Sequence, residues 1–149
     1  MRRLLHYSRE PLVTIRSVEQ LDDQSRKPRG LWVSVEGDDD WKQWCLDADF
    51  RTENLVCETE VVVQPGAQVL TIASETELDA FHGIYATSNR SWHDSAPCWR
   101  EVAKRWQGIV ICPYQWSRRM TLMWYYTWDC ASGCFWDASA IAIPSEVKL

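Results

Sequence analysis

The sequence predicts a single α+β domain in which two small, mainly antiparallel sheets surround a cleft and are joined by two or three short helices. Short alternating segments with strand character are mixed irregularly with amphipathic ones, rather than in a repeated strand–helix order. The 149 residues are the usual size for one domain, and no Gly-, Ser- or Pro-rich linker divides them. Ten tryptophans are more than bulk alone requires. Because each indole N–H needs a partner, some rings are expected to face the cleft.

The first elements are two strands and a helix. Residues 4–8 and 31–35 predict strands, and the second of these alternates and is rich in β-branched residues. Turn residues follow, and either Asp39 or Asp40 is placed to cap a helix that begins at Trp41.

The middle of the chain predicts a hairpin and a second helix. The Val-rich stretch from 52 to 63 and the strand at 69–72 flank a Gln-Pro-Gly turn, which predicts pairing between them. Ser74 and Glu77 have the spacing of a capping box, which predicts a helix from there to about residue 85.

The last part predicts one more helix and three strands. Apolar residues at helical spacing indicate a helix from 97 to 106, and the wholly apolar run 108–113 indicates a buried strand. Residues 120–128 and 134–143 predict two further strands around a turn at 129–133.

Charge and hydropathy limit the classes of partner. The net charge of −5 opposes broad binding to nucleic acid, although the basic residues between 16 and 29 or between 100 and 119 could meet a phosphate locally. No stretch approaches the roughly 18 uncharged apolar residues of a membrane span. The apolar run after the first three residues is too short for a signal-peptide core. We therefore expect a cytoplasmic protein with no membrane partner.

Cysteine spacing and known motifs argue against several chemistries. The six cysteines are spread singly, with no C-x-x-C pair, which predicts free thiols in a reducing cytosol. Cys and His are not grouped at the spacing of a zinc site, so no metal is expected. The glycine-rich phosphate loops and the nucleophile elbow of hydrolases are also missing from the sequence.

Residues suited to ligand binding occur in three separated blocks. The first block is His6-Tyr7 on the first predicted strand, and an imidazole can donate and accept hydrogen bonds at fixed geometry. The second block starts at Gly30, where the missing Cβ would let a ligand approach the backbone. It continues along the next strand through Trp32 and Ser34.

The second block ends on a helix, and the third lies late in the chain. Trp41 and Trp44 put flat rings on the helix after the strand, where one could stack on an aromatic ligand. The third block offers acids rather than rings. Asp129 is the first candidate, and Asp137 is either a second one or a turn or surface acid.

In order and spacing these blocks resemble the ADP-ribosyltransferase fold of diphtheria-toxin-like toxins and poly-ADP-ribose polymerases, as a small bacterial or phage-type member. In that family a His lies on the first strand, an aromatic residue after the second strand packs on nicotinamide, and a late strand bears a Glu. The resemblance implies that His6 and Tyr7 hold NAD, and that His6, a candidate catalytic residue with Asp129, bonds the adenosine-side ribose and orients the cofactor. It also implies that Ser34 lines the pocket and that Trp44, or failing it Trp41, stacks on nicotinamide.

The third block departs from the family pattern. No Glu occurs between Thr121 and Ile143, so the resemblance leaves Asp129 to polarise the ribose hydroxyl and stabilise a cationic transition state. Ser132 has a register like that of the family Glu, which would imply an inactive or altered site.

The resemblance implies NAD-dependent ADP-ribosyl transfer to a protein or nucleic-acid acceptor. The alternative is a non-catalytic module that binds a nucleotide or a partner on the same fold, for example a phage or bacterial inhibitor. In a third hypothesis the tryptophans form only a core, and the chain is a structural or interaction domain.

Overall fold

The computed structural model describes residues 2–22, 25–86 and 90–144. Within those ranges the strands are β1 (Leu4–Ser8), β2 (Leu31–Val35), β3 (Cys57–Val63), β4 (Val69–Ile72), β5 (Gly108–Ile111), β6 (Ser132–Phe135) and β7 (Ile141–Ala142). The helices are α1 (Trp41–Ala48), α2 (Glu75–Tyr85), α3 (Trp99–Ala103) and α4 (Met123–Tyr126). Short 3₁₀ turns occur at Thr52–Leu55, Trp116–Arg118 and Ala138–Ala140.

The strands form one seven-stranded mixed sheet in the order β4-β5-β6-β2-β1-β3-β7. Only β4 and β5 run parallel, and the other neighbours are antiparallel. A single α+β domain is therefore confirmed, but the expectation of two separate small sheets is wrong. The reason is β6, which pairs with β2 on one side and with β5 on the other and so joins the two halves.

Several elements were predicted correctly from short stretches of sequence. The strands predicted at 4–8 and 31–35 and the helix predicted from Ser74 are confirmed. Asp40 caps α1, because its Oδ1 accepts a hydrogen bond from Gln43 N at 2.9 Å. Ser74 Oγ does the same for Glu77 N at 3.1 Å.

The predicted hairpin between 52–63 and 69–72 is wrong. Thr52–Leu55 is a 3₁₀ turn, and β3 pairs with β1 on one edge and with β7 on the other. Since both edges of β3 are occupied, β4 lies at the far end of the sheet and pairs with β5.

The late predictions need two further corrections. Residues 120–128 contain α4 rather than a strand, and the strand predicted at 134–143 is divided into the end of β6, a 3₁₀ turn and β7. Aromatic residues favour strands, but here the helix buries Trp124 and Tyr125 completely. Trp124 Nε1 also donates to His82 Nδ1 at 3.0 Å, so tertiary packing overrides the local preference.

The helix predicted from 97 to 106 is shorter than expected and runs from Trp99 to Ala103. Its two buried residues, Trp99 and Val102, belong to the main core cluster with the rings of Trp124 and Trp128. All six cysteines are free. No helix among the described residues has the length and hydropathy needed to cross a membrane.

Candidate functional site

The candidate site lies where the sheet splits. The ladder between β1 and β2 contains only Leu4↔Val35 and Leu5↔Ser34. Beyond it, β1 continues to pair with β3 as far as Ser8, whereas β2 pairs with β6 from Leu31 onward. The two strands therefore part after Leu5, and a cleft opens between them.

His6 is the first β1 residue beyond the split. Its Nδ1 lies 2.7 Å from the backbone oxygen of Trp32 on β2. Because a carbonyl can only accept, Nδ1 must carry the proton. In the neutral ring, Nε2 is then an acceptor suited to a ligand hydroxyl.

The aromatic helix α1 of the second block is held to β2 through Ser34. Trp41 N donates to Ser34 Oγ at 2.9 Å, so the serine hydroxyl anchors the first turn of α1. Trp41 stacks on Trp44 with ring centroids 5.5 Å apart, and Phe50 packs edge-on against both rings.

The third block is tied to the second by the backbone. Val35 N donates to Ala131 O at 2.9 Å, and Ala131 N donates to Asp39 O at 2.8 Å. In the sheet, Ser34 is paired with Leu5 on one side and with Ser132 on the other. The three distant blocks therefore meet at one place.

The cleft between them has a volume of about 290 Å³. That is close to the lower end of ligand-pocket volumes, roughly 300 Å³, and suits a flat ring with its sugar better than a whole dinucleotide. It is lined by Leu5, His6, Tyr7, Lys27, Trp32, Val33, Ser34, Trp41, Arg51, Asn54, Trp128, Asp129, Cys130 and Ser132.

Six of the sequence-predicted site residues lie on this cleft: His6, Tyr7, Trp32, Ser34, Trp41 and Asp129. Trp44 does not line it and lies behind Trp41 in the ring stack. Gly30 does not line it either. Its φ is +151°, and an added Cβ would lie 2.4 Å from the backbone oxygen of Phe135. Gly30 therefore allows close approach of β6 rather than of a ligand.

Asp129 is held by a cation. Arg119 Nη2 lies 3.2 Å from Asp129 Oδ1, and both side chains are about one-fifth exposed. The same guanidinium donates to Tyr114 Oη at 2.8 Å, and that hydroxyl donates to Trp128 O. These contacts of Arg119 and Tyr114 hold the chain just before β6, and the guanidinium partly neutralises the Asp129 carboxylate.

The other candidates of the third block have local roles. Asp137 lies away from the cleft and caps the 3₁₀ turn Ala138–Ala140 by accepting from Ser139 N at 3.0 Å. Hydrogen bonds from Ser139 and Gln107 lower the pKa of this carboxyl. Ser132 lines the cleft, but its hydroxyl donates to Cys130 O at 3.1 Å.

Tyr7 contributes a hydroxyl with a raised pKa. Burial is the main cause, and a hydrogen bond to Glu58 Oε2 at 3.1 Å adds to it. Tyr7 therefore stays protonated near neutral pH and donates to a strand neighbour.

Among the lining residues that the sequence analysis did not single out as site residues, three have side chains that a ligand could use or that lack a partner: Lys27, Arg51 and Trp128. Lys27 lies in the basic stretch before Gly30, and Arg51 follows the aromatic Phe50. Trp128 is buried, and its indole N–H has no hydrogen-bond partner among the described residues. A buried N–H without a partner costs about 1–3 kcal/mol, so this indole is a polar group that the described fold leaves unsatisfied.

Comparison of the chain with family models, with curated proteins and with solved structures finds no match. Among the described residues no group of three or more His, Cys, Asp or Glu could hold a metal ion.

Proposed function

We propose that the chain transfers ADP-ribose from NAD to a protein or nucleic-acid acceptor, and that the cleft is the site of transfer. The observation that carries the proposal is the convergence of three blocks, far apart in sequence, on one cleft at the split between β1 and β2. The resemblance to ADP-ribosyltransferases rests on the same blocks in the same order.

The lining suits the two chemical parts of NAD. Trp32 and Trp41 offer aromatic surface for a planar base, and stacking on such rings is favourable. His6 Nε2 and the second oxygen of Asp129 remain for ribose hydroxyls, since their other atoms already have protein partners. The phosphates would extend beyond the ring and sugar that the volume of the cleft suits.

In the proposed step the bond between the ribose C1′ and the nicotinamide nitrogen breaks, and its electron pair leaves with nicotinamide. A lone pair of the acceptor forms the new bond to C1′, and the acceptor loses its proton to solvent. Asp129 would stabilise the positive charge that develops on the ribose, a role that depends on a fixed charge near the reacting atom.

The test is release of nicotinamide from labelled NAD. His6→Ala and Asp129→Ala should each lower the release rate by on the order of a hundredfold, as for loss of one preorganised polar group. His93→Ala is the matched control for the histidine, because His93 also meets a backbone oxygen through Nδ1 but lies elsewhere. Asp137→Ala is the control for the acid. Release that survives both cleft substitutions would remove this assignment.

A second candidate is a binding module without catalysis. It is favoured by the ion pair between Asp129 and Arg119, which reduces the charge available to a transition state. This candidate predicts that NAD quenches tryptophan fluorescence saturably while no nicotinamide is released. The enzyme predicts both effects.

A further inference from the structure

Apart from its indole rings, most polar side chains of the cleft already have a partner in the protein. His6 bonds to the Trp32 carbonyl, Tyr7 to Glu58, Ser34 to Trp41 N, and Asp129 to Arg119. These groups are held in position by the protein, and the one acid among them is partly neutralised by Arg119.

The two basic side chains of the cleft differ from the rest. Lys27 Nζ lies 5.5 Å from the centroid of the Trp32 ring, and Arg51 Cζ lies 5.0 Å from that of Phe50. Within residues 2–22, 25–86 and 90–144, neither has a carboxylate within ion-pair distance. Aromatic faces orient both cations but leave their charge unneutralised.

These cations come from separate segments that meet at the cleft. Lys27 lies in the loop before β2, and Arg51 lies in the turn after α1, where its φ of +48° is unusual for a residue with a side chain. Lys27 lies over Trp32, which lines the cleft. Arg51 lies over Phe50, which packs against Trp41, another lining residue.

The cleft lining contains two cations and one carboxylate, and the carboxylate already has an arginine partner. The protein has a net charge of −5, yet Lys27 and Arg51 lie beside flat rings with no ion-pair partner in the part of the chain that the structure describes. Such a combination attracts an anion and favours one that is joined to an aromatic group. Lys and Arg both bind phosphate, Lys as a point charge and Arg through paired N–H groups.

We propose that Lys27 and Arg51 bind the phosphates of a nucleoside diphosphate whose base or sugar occupies the aromatic cleft. This rests on the proposed function only in placing the ligand in that cleft. The cleft would select its ligand by the phosphate groups. This selection would apply equally to a binding module and to a transferase.

The test measures dissociation constants by tryptophan fluorescence for ADP-ribose and for adenosine, which lacks phosphate. Lys27→Gln and Arg51→Gln should each weaken ADP-ribose binding about tenfold, as expected for loss of one charge-assisted contact. Binding of adenosine should stay unchanged. Both residues are exposed, so the variants should fold, and circular dichroism checks this.

Matched controls are present in the chain. Arg105 lies 5.3 Å over the ring of Trp106, as Arg51 does over Phe50, but it does not line the cleft. Lys42 is exposed on α1 and also lies outside the lining. Arg105→Gln and Lys42→Gln should leave ADP-ribose binding unchanged.

The outcomes separate this inference from the proposed function. If ADP-ribose binding depends on Lys27 and Arg51 but NAD releases no nicotinamide, the inference holds and the transferase fails. If nicotinamide is released and the KM for NAD is unchanged in both variants, the inference is overturned and the transferase holds. It is also overturned if wild type does not bind ADP-ribose, if the variants weaken adenosine equally, or if only a single-stranded oligonucleotide shows the dependence.

Discussion

At the scale of single residues, hydrogen-bond partners decide what each histidine can do. His6 donates from Nδ1 to Trp32 O, and its ring lines the cleft. His82 uses both nitrogens inside the core, because Nε2 donates to Trp92 O at 2.8 Å and Nδ1 accepts from Trp124 Nε1. The first histidine is therefore suited to bind a ligand, and the second is suited to hold the core together.

The neutral state of His82 predicts a dependence of stability on pH. Burial lowers the pKa of this imidazole below the ordinary histidine value of about 6.5, against smaller raising effects of the Trp92 carbonyl and Asp79. Because the pKa of His82 is lower in the folded state than in the unfolded state, the neutral imidazole contributes fully to stability above about pH 6.5. This contribution is lost as the pH falls below that value, since the unfolded state then binds a proton more readily. One such group changes the free energy of unfolding by at most about 1.4 kcal/mol per pH unit.

The measurement is urea unfolding of the wild type, His82→Gln and His93→Gln between about pH 7.5 and 5. The free-energy difference between the wild type and His82→Gln should shrink as the pH falls. The His93→Gln variant should follow the wild type, since His93 is exposed. A difference for His82→Gln that is constant across this range would contradict the buried neutral imidazole.

At the scale of elements, β6 joins the two halves of the sheet and follows directly after the segment that Arg119 holds through Asp129. Gly133 lies at its centre, paired with Val33 on one side and with Val110 on the other. A Cβ at Gly133 would lie 2.7 Å from Ile109 O, which is closer than side chains approach a backbone. The glycine therefore permits the close spacing of β5 and β6.

Two glycine substitutions should have opposite effects on stability. Gly133→Ala should lower the free energy of unfolding by about 1–3 kcal/mol because the neighbouring backbone must move. Gly83→Ala lies on the exposed side of α2, where the new Cβ would be 3.5 Å from Trp92, an ordinary contact. It should raise the free energy of unfolding by about 0.5–1 kcal/mol, the usual advantage of Ala in a helix.

Urea or thermal unfolding of both variants measures these changes. A Gly133→Ala protein as stable as wild type would show that β5 and β6 are not packed as closely as described. A destabilised Gly83→Ala protein would show that this face of α2 is more crowded than its exposure indicates.

Which elements could be predicted depended on whether the signal was local. The capped starts of α1 and α2 and the strands β1 and β2 follow from neighbouring residues, and they were predicted correctly. The partners of β3 and β4 depend on distant strands, and a Gln-Pro-Gly turn between them indicated the wrong pairing. For α4, large buried rings outweighed the strand preference of its aromatic residues.

At the scale of the whole molecule, the sequence supplied the order of the three blocks but not the split that brings them together. That split depends on a β1–β2 ladder of only two pairs, which no local pattern encodes. Lys27 and Arg51 could not be assigned to the cleft for the same reason, since their positions follow from a loop and a turn that only the tertiary fold brings together. Trp41 rather than Trp44 lines the cleft, because the stacked pair presents only one of its rings to it.

The central claim is that NAD binds in this cleft, and the indole N–H signals of a ¹⁵N-tryptophan-labelled chain test it most directly. The ten tryptophans give ten such signals, which single Trp→Phe substitutions assign. Titration with NAD should shift the signals of Trp32, Trp41 and Trp128 saturably and leave those of Trp106 and Trp136 in place. If those three signals do not move, or if only the exposed Trp92 and Trp116 respond, NAD does not bind in the cleft.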